Sequence, residues 1–303
     1  MPTPSHYRGR FAPSPTGPLH FGSLLAAFGS WLLARHSGGE WWVRIEDLDP
    51  PREVPGAATG QLDTLAGFGL TPDAAVAWQG QRSALYQAAM DRLLAQGQAF
   101  HCHCSRSDLT AHGGVHRRCV ARARRADPAI RFRVDDGDTV AFEDRLQGEV
   151  RQDVAREVGD FVLRRADGCW AYQLAVVVDD GDQGMTDIVR GADLLDSTPR
   201  QILLQRALGL RTPRYLHLPL IVDRHGHKLS KSAGALRVDA GDPLPTLRAA
   251  WRALGQDGEA LNECEEAATA LRVASARFDP RNLPRVRSIG VAALHNMGDS
   301  NAG

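Results

Sequence analysis

The sequence predicts an α/β fold: a parallel sheet with helices on its faces, a cysteine-bearing insertion, and a short helical C-terminal region. Three observations point there. Strand and helix patterns alternate over the first hundred residues. The alternation stops between about 100 and 155, where cysteines and arginines cluster. It then resumes and gives way to an Ala-rich end.

Arg8–Ala12 reads as a short strand that ends in the turn cluster Pro13-Ser14-Pro15-Thr16-Gly17-Pro18. Leu24, Leu25, Phe28, Trp31 and Leu32 recur at helical spacing, and Gly38-Gly39 stops that helix. Trp41–Ile45 is a second strand, which makes a βαβ-like unit. Helical patterns follow near Ala57–Phe68 and Ser83–Gln96. After the interruption the alternation resumes with Phe161–Arg165, Tyr172–Val178, a helix near Pro199–Leu208 and an apolar strand His217–Val222. The expected organisation is 1–100 for one half of the core, 101–155 for the insertion, 156–235 for the second half, and 236–303 for the helical end with a polar tail from Asn296.

Composition narrows the class. Of 303 residues 43% are hydrophobic and 24% charged, ordinary values for a globular chain. Apolar runs such as Leu174–Val178 are too short to span a bilayer, and Met1–Arg10 has no apolar stretch of the secretory kind. A cytoplasmic chain with no membrane partner, and a monomer, is expected. The five cysteines are an odd number with three clustered, which argues for a reduced chain with a metal site over a disulfide framework. The zero net charge neither favours nor excludes a nucleic-acid partner, because a sum hides a local basic face.

Three motifs carry chemistry. Gly17-Pro18-Leu19-His20-Phe21-Gly22-Ser23 sits at a strand-to-helix junction, where backbone N–H groups and the helix dipole suit a phosphate. A proline-rich turn with a capping histidine would look the same. Lys228-Leu229-Ser230-Lys231-Ser232 follows the turn Asp223-Arg224-His225-Gly226. Of 36 basic residues only Lys228 and Lys231 are lysine, so a solvated basic loop explains them poorly and a clamp on a nucleoside triphosphate explains them well. Arg44-Ile45-Glu46-Asp47 lies at the carboxyl end of a strand, where open α/β sheets bind ligands, though an ordinary acidic turn has the same composition.

In this order and spacing the three motifs resemble those of class I aminoacyl-tRNA synthetases, glutamyl branch. The first corresponds to the HIGH element, with Ser23 in place of its second histidine. The last corresponds to KMSKS, with Leu229 in place of methionine. Tyr172–Asp180, Arg190–Gln201 and the run from Arg44 to Ala58 narrow the resemblance to the shortened glutamyl-Q tRNA(Asp) synthetase family, over roughly residues 7–250. The resemblance implies a Rossmann-like class I synthetase catalytic core. It also implies glutamate activation by ATP with Mg²⁺, then transfer to queuosine in the anticodon stem-loop of tRNA(Asp). The alternative is a truncated glutamyl-tRNA synthetase that charges a tRNA 3′ end. About seventy residues after Ser232 are too few for that enzyme's anticodon-binding module. A binding protein built on a decayed core is disfavoured by the presence of His20, Glu46, Arg190, Lys228 and Lys231.

The family's glutamate contacts carry over to Arg10, Phe11, Ala12, Pro13, Ser14, Glu46, Tyr172 and Arg190. Chemistry agrees: two guanidinium forks suit two carboxylates, and Glu46 with the Tyr172 hydroxyl suits the ammonium. His20, Gly22 and Lys231 fall to ATP; His20, Lys228 and Lys231 carry the catalytic role. Cys102, Cys104 and Cys119 match the family's zinc ligands. The family's tyrosine position is Val115, which cannot ligate, so His116 is expected as the fourth ligand, with His103 and His112 as alternatives. A zinc with a full protein ligand set is structural. Buried thiols beside surface histidines are the bland alternative.

Overall fold

The computed structural model describes residues 6–111, 113–227 and 238–292. Lys228, Leu229, Ser230, Lys231, Ser232, His112 and the tail from Asn296 therefore lie outside the described residues. The chain opens with strand β1 (Arg8–Phe11), helix α1 (Phe21–His36), strand β2 (Glu40–Ile45), helix α2 (Ala57–Gly67), the two-residue β3 (Ala77–Trp78) and helix α3 (Ser83–Ala95). β1 pairs in parallel with β2, and β2 with β3, so this half is a small parallel sheet. The α1 helix is apolar nearly all round, and Leu24, Leu25, Phe28, Leu32 and Leu33 are fully buried, because the sheet covers one flank and later helices the other.

The middle segment contains β4 (Ala99–Cys102), the one-turn α4 (Arg106–Thr110), β5 (Ala129–Phe132), the hairpin β6 (Thr139–Asp144) and β7 (Gly148–Asp153), and the short α5 (Val154–Glu157). After it come β8 (Phe161–Arg164), α6 (Tyr172–Asp182), β9 (Asp187–Gly191), α7 (Thr198–Ala207), β10 (Arg214–Leu218) and β11 (Leu220–Val222). β8 does not join the parallel core; it pairs antiparallel with β5, which pairs antiparallel with β4. β9 and β10 are parallel, and β6 reaches the free edge of β10.

Two features of this half have local causes. Tyr172–Val178 is helical: α6 buries Leu174, Ala175, Val176, Val177 and Val178 against β-strands and α7, and tertiary burial overrides the β preference of three successive valines. The expected strand His217–Val222 is split between β10 and β11 at Pro219, which has no N–H to give to a ladder.

The C-terminal helices α8 (Leu244–Ala253) and α9 (Ala267–Arg277) pack on α1 and share its core through Leu247, Trp251, Leu254 and Leu271. The chain then returns as β12 (Ser288–Gly290), parallel to β11, an element that the sequence reading did not anticipate. β1 sits beside β9: the Arg8 carbonyl accepts from the Thr186 N–H at 2.9 Å, which joins the two halves.

Candidate active site

The carboxyl ends of β1, β2 and β9 open into one cleft. The loop after β1 is pinned from three directions. Glu46 N–H donates to the Pro13 carbonyl and Val54 N–H to that of Pro15, both at 2.9 Å. The buried Gln61 amide donates to the carbonyls of Ser14 and Gly17 at 3.0 and 2.7 Å. Gly17 adopts φ 138°, a region that L side chains rarely enter, so the turn requires glycine there. His20 is the N-cap of α1: its Nδ1 accepts the Ser23 N–H at 3.1 Å, and the Ser23 hydroxyl lies 3.1 Å from Nε2. The serine that stands where the motif has its second histidine thus braces the first. A Cβ on Gly22 would stand 3.3 Å from that imidazole, so glycine leaves the ring its space.

These groups surround a cavity of about 580 Å³. Arg10, Phe11, Ala12, Pro13 and Ser14 line it from the first loop, His20 and Gly22 from the start of α1. Glu46, the residue after β2, lines it together with Tyr172 of α6 and Arg190 of β9. The described chain runs through Leu220 at the rim of this cavity toward the turn at Asp223–Gly226, which stands just before the two lysines.

Under the cavity lies a buried ionic cluster. Arg10 gives Nε and Nη2 to the Asp180 carboxylate at 3.0 and 3.2 Å. Arg44, 1% exposed, gives Nη1 to Asp180 and to Gln183 Oε1, both at 2.8 Å, and Nη2 to Glu46 at 3.3 Å. The neighbouring Asp179 is held by Gln79, Arg82 and Tyr86 at 2.7–2.8 Å. Burial alone would raise the Asp180 carboxyl, but Arg10 and Arg44 outweigh it and hold it below the ordinary range. The Arg10 fork is therefore largely spent inside the protein, and among the described residues Nη1 is the nitrogen left for a ligand.

Glu46 stands differently. Burial pushes its carboxyl above the ordinary range, and Arg44 and Arg10 only partly offset this. A buried carboxylate with too little positive charge around it is suited to an incoming ammonium. The Tyr172 oxygen accepts from Arg190 Nη1 at 3.2 Å, which leaves its second lone pair to accept from an ammonium. Asp180, Arg44, His217 and Asp144 received no role in the sequence reading. The signals were an acidic pair, Asp179-Asp180, in an apolar helix, and a histidine inside the apolar run Tyr215–Leu218.

The cysteines gather apart from this cleft. Cys102 ends β4, and the ligand atoms of Cys102, Cys104 and His116 lie within 4.8 Å of one another. His116 Nδ1 is bonded to Asp160 at 2.7 Å, which turns Nε2 to Cys102 Sγ at 3.2 Å. That carboxylate–imidazole pair is the usual support of a metal-bound histidine. Cys119 Sγ is 3.8 Å from Cys104 Sγ at the exposed side. His103 Nδ1 instead accepts from the Arg125 N–H at 3.0 Å. Burial opposes ionisation of Cys102, but hydrogen bonds from His116 and Arg131 hold its thiol down at about 6. Two soft thiols, a braced imidazole and a third thiol nearby fit a tetrahedral Zn²⁺.

Residues 6–269 match the family model described as tRNA synthetases class I (E and Q), catalytic domain. The fold resembles a glutamate tRNA ligase from Elizabethkingia meningosepticum solved with its amino acid, with TM-score 0.79 and 24% identity over 97% of this chain and 69% of that one. The chain is 64% identical over 291 residues to the glutamyl-Q tRNA(Asp) synthetase of Xanthomonas axonopodis pv. citri, covering 95% of this chain and 96% of the relative. It is 54% identical to that of Burkholderia cenocepacia, over 91% and 98%. This is a class I aminoacyl-tRNA synthetase core by fold and by sequence. Within that class, the chain belongs to the glutamyl-Q tRNA(Asp) synthetase family. No helix among the described residues is long and apolar enough to cross a membrane.

Proposed function

We propose that the chain activates L-glutamate with ATP, without needing tRNA, and passes the glutamyl group to queuosine in the anticodon stem-loop of tRNA(Asp), in the cytoplasm. The observation that carries this is one cavity lined by two arginines, Arg10 and Arg190, together with the Glu46 carboxylate and the Tyr172 hydroxyl. End-to-end similarity to enzymes of that name supports the acceptor.

Arg10 Nη1 and Arg190 Nη1 take the two carboxylates of glutamate; Glu46 and the Tyr172 hydroxyl take its ammonium. The α-carboxylate, already ionised at neutral pH, attacks the α-phosphorus, so no general base is required. The enzyme's task is to align two anions and neutralise charge that grows on the leaving pyrophosphate. His20 and the α1 start hold the triphosphate, with Mg²⁺ accompanying ATP as substrate. Lys228 and Lys231 answer the growing charge. Lys231→Ala should therefore slow glutamate-dependent ATP–pyrophosphate exchange much more than it raises the KM for glutamate. That exchange should proceed with no tRNA added.

Cys102, Cys104, His116 and Cys119 would hold one structural Zn²⁺, which ties the ends of a segment with little apolar core of its own. Cys102→Ser should lose metal and thermal stability together. His116→Ala with full zinc retained would assign the fourth position to another ligand.

RNA contact is supported by a second cavity of about 520 Å³ beside the cysteines, lined by Arg106, Arg125, Arg131 and Arg165 against one carboxylate, Asp167. Arg165 also pairs with Asp49, which pairs with Arg52 at the rim of the first cavity, so the two openings adjoin. Backbone neutralisation of this kind makes transfer fall steeply with salt. The decisive test is transfer of labelled glutamate to an isolated tRNA(Asp) anticodon stem-loop with and without queuosine. Label only on the 3′-terminal adenosine of full-length tRNA would overturn the reading.

A further inference from the structure

Arg190 is held on several sides before any ligand arrives. Its Nε donates to His217 Nε2 at 3.0 Å, and Nη2 donates to Thr198 Oγ1 and Gln201 Oε1 at 2.9 and 2.8 Å. Nη1, beside the Tyr172 oxygen, is the nitrogen left for the cavity that both residues line. An arginine nitrogen only donates, so His217 must offer a lone pair at Nε2. Its proton therefore sits on Nδ1, which is 2.6 Å from Asp144 Oδ2. Both side chains are 0% exposed. The second oxygen of Asp144 is fully engaged: it accepts backbone N–H groups of Leu146, Gln147 and His217 at 3.1, 2.9 and 3.2 Å.

We propose that Asp144 and His217 are positioning residues that aim Arg190 at the amino-acid substrate by fixing the tautomer of the imidazole. The inference rests on the reading of Arg190 as a glutamate contact. It draws a residue from the β6–β7 hairpin, far from the cleft in sequence, into the specificity of the site.

Asp144→Asn is the informative change. The three backbone donors require the amide oxygen at the Oδ1 position, so the NH₂ group must face His217 Nδ1. The imidazole proton is driven to Nε2, where it meets the Arg190 N–H, and two donors then oppose each other. In glutamate-dependent pyrophosphate exchange, the KM for glutamate should rise about tenfold or more, with the KM for ATP little changed. Nitrogen-15 spectra should show the His217 proton on Nδ1 in the parent protein and on Nε2 in the variant. Glutamine carries its own acceptor oxygen near the Nε2 position and has no tautomer to lose. The double variant Asp144→Asn/His217→Gln should therefore recover most of the glutamate affinity. Should Asp144→Asn fold poorly, the pair His217→Gln and His217→Leu serves instead: near-normal KM in the first, a raised KM for glutamate alone in the second.

An unchanged KM for glutamate in Asp144→Asn would overturn the proposal. So would a joint rise for glutamate and ATP with lowered thermal stability and no recovery in the double variant. If the parent protein shows no glutamate-dependent exchange, the underlying functional reading falls too, a result distinct from normal exchange that is indifferent to Asp144.

Discussion

Arg44→Leu should destabilise the protein by about 3–5 kcal/mol, the cost of breaking a buried ion pair by removing one partner. Arg44 is fully enclosed and touches three carboxylates, those of Asp180, Glu46 and Asp179, the last at 3.6 Å. Leucine fills much of the space but leaves Asp180 with Arg10 alone and Glu46 without its nearest cation. Urea unfolding at 25 °C measures the loss. The internal contrast is the Arg8–Glu40 pair at 2.8 Å, whose side chains are about one-third exposed. Glu40→Gln should cost less than about 1 kcal/mol, because solvent screens that pair. Equal effects from the two variants would refute the view that the enclosed cluster under the cavity contributes more to stability than a solvent-screened pair.

Glu46→Gln should raise the KM for glutamate by roughly 100-fold, equivalent to about 3 kcal/mol for an uncompensated buried ammonium, while the KM for ATP stays near its parent value. Glutamine matches the shape, and Arg44 keeps Asp180 as a partner, so the fold should survive. The pH dependence gives a second reading of the same group. Because burial raises the Glu46 carboxyl, it takes up a proton at a higher pH than an exposed carboxyl does. Lowering the pH through that raised value removes the charge that receives the ammonium, so glutamate affinity in the parent protein should fall. The glutamine variant, with nothing to titrate there, should lose that part of the pH dependence. A parallel profile in both proteins would assign the ammonium to another group.

What could be read from the sequence was what is encoded locally. A strand, a proline- and glycine-rich turn and an apolar helix occupy consecutive residues. The first βαβ unit and the loop that carries Ser14, His20 and Gly22 were therefore visible as a pattern. The candidate glutamate contacts, implied by the family resemblance, all line one cavity. His116 was expected as a ligand ahead of His103 and His112, but the support of its ring by Asp160 was not visible, because Asp160 comes 44 residues after His116. Helicity of Val176-Val177-Val178 follows from burial on two sides, which no short window reports. The strand after Leu283 escaped notice because three residues, Ser288–Gly290, become a strand only when β11 is there to pair with. The cluster of Arg10, Arg44 and Asp180 was invisible for the same reason: its members are 136 and 170 residues apart.

That separation also bears on how the protein is made. Contacts between residues distant in sequence cannot reward the chain until the intervening length exists, and such topologies fold slowly. During synthesis at about 5–20 residues per second, Asp180 follows Arg10 by roughly 10–30 s. Through that interval β1 has β2 beside it but not β9, and the guanidinium groups of Arg10 and Arg44 stay hydrated. The nascent first half therefore waits with an unfinished sheet edge until α6 and β9 emerge. Acquisition of the amino-acid cleft is then a late event in biogenesis, coincident with the joining of the two halves.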